Sequence, residues 1–320
     1  MSLIEQAAKR LEQLRQAGVD LPEDDTPRSP ASEAKAAATA PDPYSAKVPL
    51  APAVEQIPVN AKPAPTKSPS VHSKRVELNL EAISASGLLV PQISRSQLAD
   101  EYRVIKRPLI ANAMGKGITA IQNGNLIMVT SALPGEGKSF TAINLAISIA
   151  MELDNTVMLV DADVARPSVL TMLGLPPAPG LLDVVDKNSV DISDVLLRTN
   201  IEKLSILPSG TQHPRATELL ASDAMVRLLD DMASRYSDRI IIFDSPPLLL
   251  TTESRALATH MGQIIIVVNA ENTVQAAVKQ AVDAIEACPV KMMVLNQARQ
   301  ASTDGYGYGY GYGYGYGNEN

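Results

Sequence analysis

Between residues 125 and 297 the chain alternates two kinds of pattern. Short uninterrupted apolar runs occur in NLIMVTSA (125–132), TVMLVDAD (156–163), LSILPSG (204–210), RIIIFDSPP (239–247), QIIIVVNA (263–270) and VKMMVLNQ (290–297). Each has strand length and leaves no polar face for water, which predicts strands buried on both sides. Between them KSFTAINLAISIAMEL (138–153), TELLASDAMVRLLDDMASRY (217–236), TTESRALATHMG (251–262) and TVQAAVKQAVDAIEAC (273–288) carry helical periodicity. Strands alternating with helices predict an α/β fold, a mostly parallel sheet with helices on both faces. Ligands of such sheets sit at the carboxyl ends of the strands. Upstream, order is expected to resume at VELNL (76–80). A helical pattern then spans SRSQLADEYRVIKRPLIANAM (94–114), where Pro108 is expected to break or kink the helix.

The flanks read differently. Leu3, Ile4, Ala7, Ala8, Leu11 and Leu14 follow helical spacing, and Gly18 is a natural stop, so residues 1–18 predict an amphipathic helix. It serves either as a short surface helix or as a docking helix for a partner. Residues 19–75 are rich in Pro, Ala, Ser and Lys and poor in large apolar side chains, the composition of a disordered tether. The domain proper is expected over 76–300. A flexible tail over 301–320 carries Tyr306, Tyr308, Tyr310, Tyr312, Tyr314 and Tyr316, each separated from the next by one glycine.

Composition narrows the classes. Net charge is −7, so there is no basic footprint for nucleic acid. Cys288 is the single cysteine and there are three histidines, which excludes a disulfide framework and a Cys-based zinc site. The first residues lack the apolar core of a signal peptide, and no run approaches the about 18 apolar residues of a membrane span. A cytoplasmic chain is expected.

The strongest chemical signal is SALPGEGKS, 131–139, between a strand and a helix. It resembles a P-loop. In the cofactor-binding loop of Pro134, Gly135, Glu136 and Gly137, the two glycines would let the backbone turn its N–H groups toward phosphate oxygens, at the positive end of the helix that continues through Phe140. Lys138 would reach the outer phosphates and the Ser139 hydroxyl a Mg²⁺ ion. One departure is Ala132, where the general pattern has glycine. Asp161 and Asp163 end one strand, and Asp244 ends another. In a parallel sheet these ends lie beside the loop, where Mg²⁺ needs one or two carboxylates. Asn296, after the last strand, suits either a contact to the adenine base or a strand-end turn. His213 precedes a helix as a loop residue, and Cys288 closes an apolar helix.

Together PGEGKS, LVDAD and IIFDSPP resemble the bacterial tyrosine kinases, the P-loop autokinases of exopolysaccharide and capsule assembly. EYRVIKRPL is most similar to the exosortase-associated tyrosine autokinases. The resemblance covers roughly residues 85–317. It implies an ATP- and Mg²⁺-dependent autokinase with a P-loop NTPase-like fold, whose substrate is the Gly-Tyr tail of a neighbouring subunit. It implies Lys138, Asp161, Asp163 and Asp244 as catalytic, with Ser139, Asp163 and Asp244 around the metal. Asp161 is the choice for accepting the tyrosine proton, though its role and that of Asp163 are exchangeable. The family carries two arginines after the aspartates; here the first position is Ala165 and the second is Arg166. An acidic-x-x-Arg-x-x-basic motif that serves ring assembly is matched in spacing by Asp100, Arg103 and Lys106. The bland reading of those three is a solvated charged stripe. The implied partners are other copies of the chain, an inner-membrane polysaccharide chain-length regulator as activator, and a tyrosine phosphatase. Such a regulator would recruit the chain to the inner face of the cell membrane. The alternatives are a P-loop ATPase switch of the partitioning or positioning type, or a regulatory nucleotide-binding scaffold. The switches typically have Lys-Gly-Gly where this chain has Pro134-Gly135-Glu136.

Overall fold

In a computed structural model the described residues are 73–93, 95–117, 119–186, 190–235 and 239–298. All of them lie within the unit Pro65–Asn320. The expected N-terminal helix, most of the tether and the tyrosine cluster lie outside the described residues.

Eight strands form one sheet: β1 (Lys74–Arg75), β2 (Leu126–Ser131), β3 (Thr156–Asp161), β4 (Leu197–Arg198), β5 (Leu204–Leu207), β6 (Arg239–Asp244), β7 (Gln263–Asn269) and β8 (Val290–Asn296). Their spatial order is β1-β4-β5-β3-β6-β2-β7-β8. Every neighbouring pair is parallel except β4 with β5. β1 stands just before position 76. A two-residue strand is too short to show as periodicity.

Alternation along the strands explains why they read as continuous apolar runs. Ile127 and Val129, Val157 and Leu159, Ile240 and Ile242, and Ile265 and Val267 enter one core. Their sequence neighbours Met128, Met158, Val160, Ile241, Phe243, Ile264 and Ile266 enter the other. Helices Gln97–Ala113 and Lys138–Ala150 contribute to the first core, and helices Asp223–Arg235 and Thr252–Ala258 to the second. Both faces are thus dry over β2, β3, β6 and β7, whereas the edge strand β8 leaves Met293 and Leu295 exposed, against the expectation of burial on both sides; the strand ends are left as the place for polar chemistry.

Two helices depart from the periodicity. The segment 217–236 divides into Ala216–Leu220 and Asp223–Arg235. At the break the Met225 N–H donates to the Ser222 hydroxyl at 3.3 Å, so serine caps a new helix where apolar spacing alone showed none. Conversely Gln97–Ala113 runs unbroken through Pro108. The carbonyl that Pro108 leaves without a donor is that of Val104, an exposed residue, where solvent can satisfy it.

Candidate active site

The parallel register brings the predicted acidic residues together. Asp161, the last residue of β3, is the direct partner of Asp244, the last residue of β6, and Asp244 also pairs with Val129 of β2. β2 then runs into the glycine loop. Gly135 and Gly137 have φ of 82° and 92°, a region that favours glycine, and Gly137 caps the helix Lys138–Ala150. A Cβ on Gly137 would also sit 2.0 Å from Asn296 Nδ2. Ala132 lacks positive φ and is fully buried among apolar side chains. The departure from the general pattern therefore costs the loop no required conformation.

Lys138 Nζ lies 2.8 Å from Asp163 Oδ2, and both side chains are largely shielded. The other Asp163 oxygen accepts the Arg166 N–H at 3.1 Å, which folds the chain back after β3. Arg166 and Ala165 are themselves exposed. Asp161 Oδ2 accepts the N–H groups of Ser168 and Val169 at 3.2 and 3.1 Å. The Ser168 hydroxyl donates to the Ser139 hydroxyl at 2.8 Å. Ser168 was not anticipated from the sequence; the only cue is a serine after Pro167, in a position to start a helix.

The electrostatics are unusual. Asp161 Oδ1 and both oxygens of Asp244 are buried without a hydrogen-bond partner of ordinary geometry. Burial, then the charge of Asp244, pushes the Asp161 carboxyl up to about 7. Burial pushes Asp244 up to about 6, against the opposing pull of Lys138 and of the nearby Ser139 hydroxyl. Unsatisfied carboxylate oxygens at a strand end fit a bound cation, which would supply the missing partner. Among the described residues no three His, Cys, Asp or Glu side chains form a protein-only metal cage. Ser139 and Asp163 lie close enough to Asp244 to influence its ionisation.

Asp161 also lines a cavity of about 600 Å³. Its other walls include Pro167, Leu170, Leu175, Pro177 and Thr211, and among the described residues Asp161 is the only charged side chain on it.

The remaining sequence-derived residues fall as follows. Pro134 and Gly135 are exposed in the loop, and Phe140 is half-buried against the apolar core. Asn296 Nδ2 donates to the Glu136 carbonyl at 2.9 Å, so it holds the loop. His213 lies in the loop before helix Ala216–Leu220, its Nδ1 accepting the Arg215 N–H at 3.1 Å. Cys288 is buried, and burial pushes its thiol up. Asp100 and Arg103 pair on the exposed side of helix Gln97–Ala113. Lys106 does not continue that stripe. It is 4% exposed, donates to the Ser148 carbonyl at 2.5 Å and pairs with Glu152 at 2.7 Å. Three-residue steps fall short of a helical turn by about 60° each, so the third residue has rotated toward the core.

Comparison with known proteins gives a consistent picture. A family described as AAA domain matches residues 124–296, more than half of the chain. Tyrosine-protein kinase YwqD of Bacillus subtilis (strain 168) is 30% identical over 199 residues, 62% of this chain and 80% of that protein. Tyrosine-protein kinase ptk of Acinetobacter johnsonii is 31% identical over 184 residues, 57% of this chain and 24% of that longer protein. The crystal structure of the chimerical protein CapA2B2 is 29% identical with a TM-score of 0.56, over 69% of this chain and 99% of that one.

Proposed function

The chain belongs to the AAA domain family and, within it, to the bacterial tyrosine-protein kinases, and from that premise we propose that it phosphorylates its own C-terminal tyrosine cluster on a neighbouring copy, using ATP and Mg²⁺. The observation that carries the proposal is Asp161. It lines a neutral-walled cavity, with one buried oxygen unpartnered and its carboxyl pushed up to about 7, and it accepts the N–H of Ser168, whose hydroxyl bonds Ser139 after the phosphate loop. That is the range in which a carboxylate serves as a proton acceptor near neutral pH.

The residues divide the work of phosphoryl transfer, which is mainly positioning and charge stabilisation. The loop N–H groups and Lys138 hold the phosphates. To do so, Lys138 turns its ammonium from Asp163 alone to Asp163 and the transferring group together. Ser139, Asp163 and Asp244 hold the metal side. Mg²⁺, which Ser139, Asp163 and Asp244 would hold, would supply charge neutralisation at the phosphates. The apolar and proline walls beyond Asp161 admit a tyrosine ring, and the flanking glycines of Gly-Tyr-Gly let it enter in extended form. The tyrosine oxygen bonds to the γ-phosphorus as the bond to the β-phosphate oxygen breaks and ADP departs. The phenolic proton passes to the Asp161 carboxylate.

No described helix is long and apolar enough to cross a membrane. We assign membrane recruitment to a polysaccharide chain-length regulator, reversal to a tyrosine phosphatase, and the output to exopolysaccharide assembly.

The test is full-length protein incubated with Mg-ATP and mapped for phosphotyrosine by mass spectrometry. Phosphate on Tyr306–Tyr316, lost in Lys138→Met, supports the kinase. Phosphate release without phosphotyrosine supports the ATPase switch instead.

A further inference from the structure

The phosphate loop is held from outside its own backbone. Glu136, within the loop, is 2% exposed. Its Oε2 accepts the Leu133 N–H at 2.7 Å, and its Oε1 accepts the hydroxyl of Thr273, a residue 137 positions away. From the end of β8, Asn296 Nδ2 donates to the Glu136 carbonyl at 2.9 Å and Gln297 Nε2 to the Gly135 carbonyl at 3.4 Å. Gln297 has a φ of 57°, and its Oε1 accepts from Asn269 Nδ2. The Thr273 N–H donates to the Asn269 carbonyl at 3.1 Å. Thr273 and Gln297 are therefore tied to the same residue at the end of β7.

Each bond has a consequence for anion binding. A loop that turns its N–H groups toward phosphate must turn its carbonyls away, and those carbonyls need donors. Asn296 and Gln297 supply them at two consecutive residues. Glu136 raises a second problem, because it places a carboxylate inside an anion-binding loop. Once detached from its partners, that carboxylate would itself compete for the loop amides and for Lys138. The Thr273 hydroxyl and the Leu133 N–H keep it engaged elsewhere.

We propose that Thr273 is a positioning residue for nucleotide binding: with Asn296 and Gln297 it clamps the phosphate loop and restrains the Glu136 carboxylate from occupying the phosphate site. The inference rests on the nucleotide-binding reading of this loop.

The test uses full-length protein with ATP and Mg²⁺, comparing wild type, Thr273→Val, Thr273→Ser and Lys138→Met. Affinity is read by calorimetric titration, alongside the nucleotide-free melting temperature and the ATP dependence of autophosphorylation. Valine keeps the shape and removes the donor. It should weaken ATP about tenfold or more, the usual loss for a hydrogen bond to a charged group. KM should rise while kcat at saturating ATP holds, because ground and transition states lose the same contact. Thr273→Ser should restore the affinity. A Thr273→Val protein that binds ATP as wild type, or a serine variant as weak as the valine one, overturns the clamp. If Lys138→Met loses ATP while Thr273→Val keeps it, the clamp fails and the nucleotide site stands. If Lys138→Met also binds as wild type, the reading of the loop fails with it.

Discussion

Asp161 and Asp244 are direct register partners at the carboxyl ends of adjacent parallel strands. Between them they bury three carboxylate oxygens without a hydrogen-bond partner of ordinary geometry. Neighbouring strands lie about 4.8 Å apart, so two acidic groups occupy one dry strand end. The arrangement disfavours ionisation in the free protein and favours whatever cation later arrives. Stability and function oppose each other at this pair.

Stability of the nucleotide-free protein should fall as pH rises across this pair's range. Both carboxyls are raised above the ordinary carboxylate value, Asp161 to about 7 and Asp244 to about 6. Below about pH 4 both states are protonated and the groups are neutral in effect. Above it the unfolded chain ionises first and the folded chain holds its protons, so stability is lost until the folded pKa values are passed. Melting curves at pH 5 and 7.5 without metal should show a higher midpoint at pH 5, and Asp244→Asn should reduce the difference. An equal or larger difference in the variant would remove Asp244 from the cause.

The same substitution should act oppositely on catalysis. Asp244→Asn removes a charge that burial disfavours in the folded protein. The free protein should therefore melt several degrees higher at pH 7.5. Its Mg²⁺ requirement should rise about tenfold and its rate fall, because a metal-shell carboxylate has become neutral. A Mg²⁺ titration coincident with wild type would exclude Asp244 from the metal shell.

Much of this was legible because continuous apolar runs admit few readings. β2, β3, β6, β7 and β8 stand within their predicted runs, and the parallel register follows from alternation with helices. Lys138, Ser139, Asp161, Asp163 and Asp244 converge because all five stand at or just after carboxyl strand ends. What stayed hidden depends on long-range contacts. Glu136 and Thr273 are 137 positions apart, and no local pattern links them. Lys106 read as a surface charge because its spacing from Arg103 is helical, yet two successive steps of three residues do not keep one face. Pro108 read as a breaker because the exposure of Val104 is a tertiary property.

Lys106 and Arg103 should separate cleanly by stability. Lys106 anchors the carboxyl end of the helix whose amino end forms the phosphate loop, through the Ser148 carbonyl and Glu152. A cation there also complements the helix dipole. Lys106→Met keeps the apolar stem and loses the donor, at a cost of about 1–3 kcal/mol, which lowers the melting midpoint by about 2–12 °C for a domain of this size. Arg103→Ala, on the exposed face, should change stability by less than about 0.5 kcal/mol. Equal midpoints for both variants would return Lys106 to the surface stripe.

The last prediction concerns assembly, and it places Arg103 without Lys106. The proposed substrate is the tail of a neighbouring copy, so unphosphorylated tails should hold copies together by entering neighbouring sites. Each phosphate adds about −1.5 to −2 charge at neutral pH. Six on one tail add roughly −9 to −12, against a formal charge of −7 for the whole chain. Such a tail meets Asp161, Asp163, Asp244 and the nucleotide's own phosphates, all of one sign. Repulsion should therefore end the assembly, and more strongly at low salt than at high salt. Asp100 and Arg103, paired on the exposed side of their helix, offer the complementary charges for a neighbour's surface. Light scattering should find the unphosphorylated protein in the largest particle, with phosphorylated protein and Arg103→Ala smaller. The same mass for all three, or growth on phosphorylation, would refute the tail as the switch.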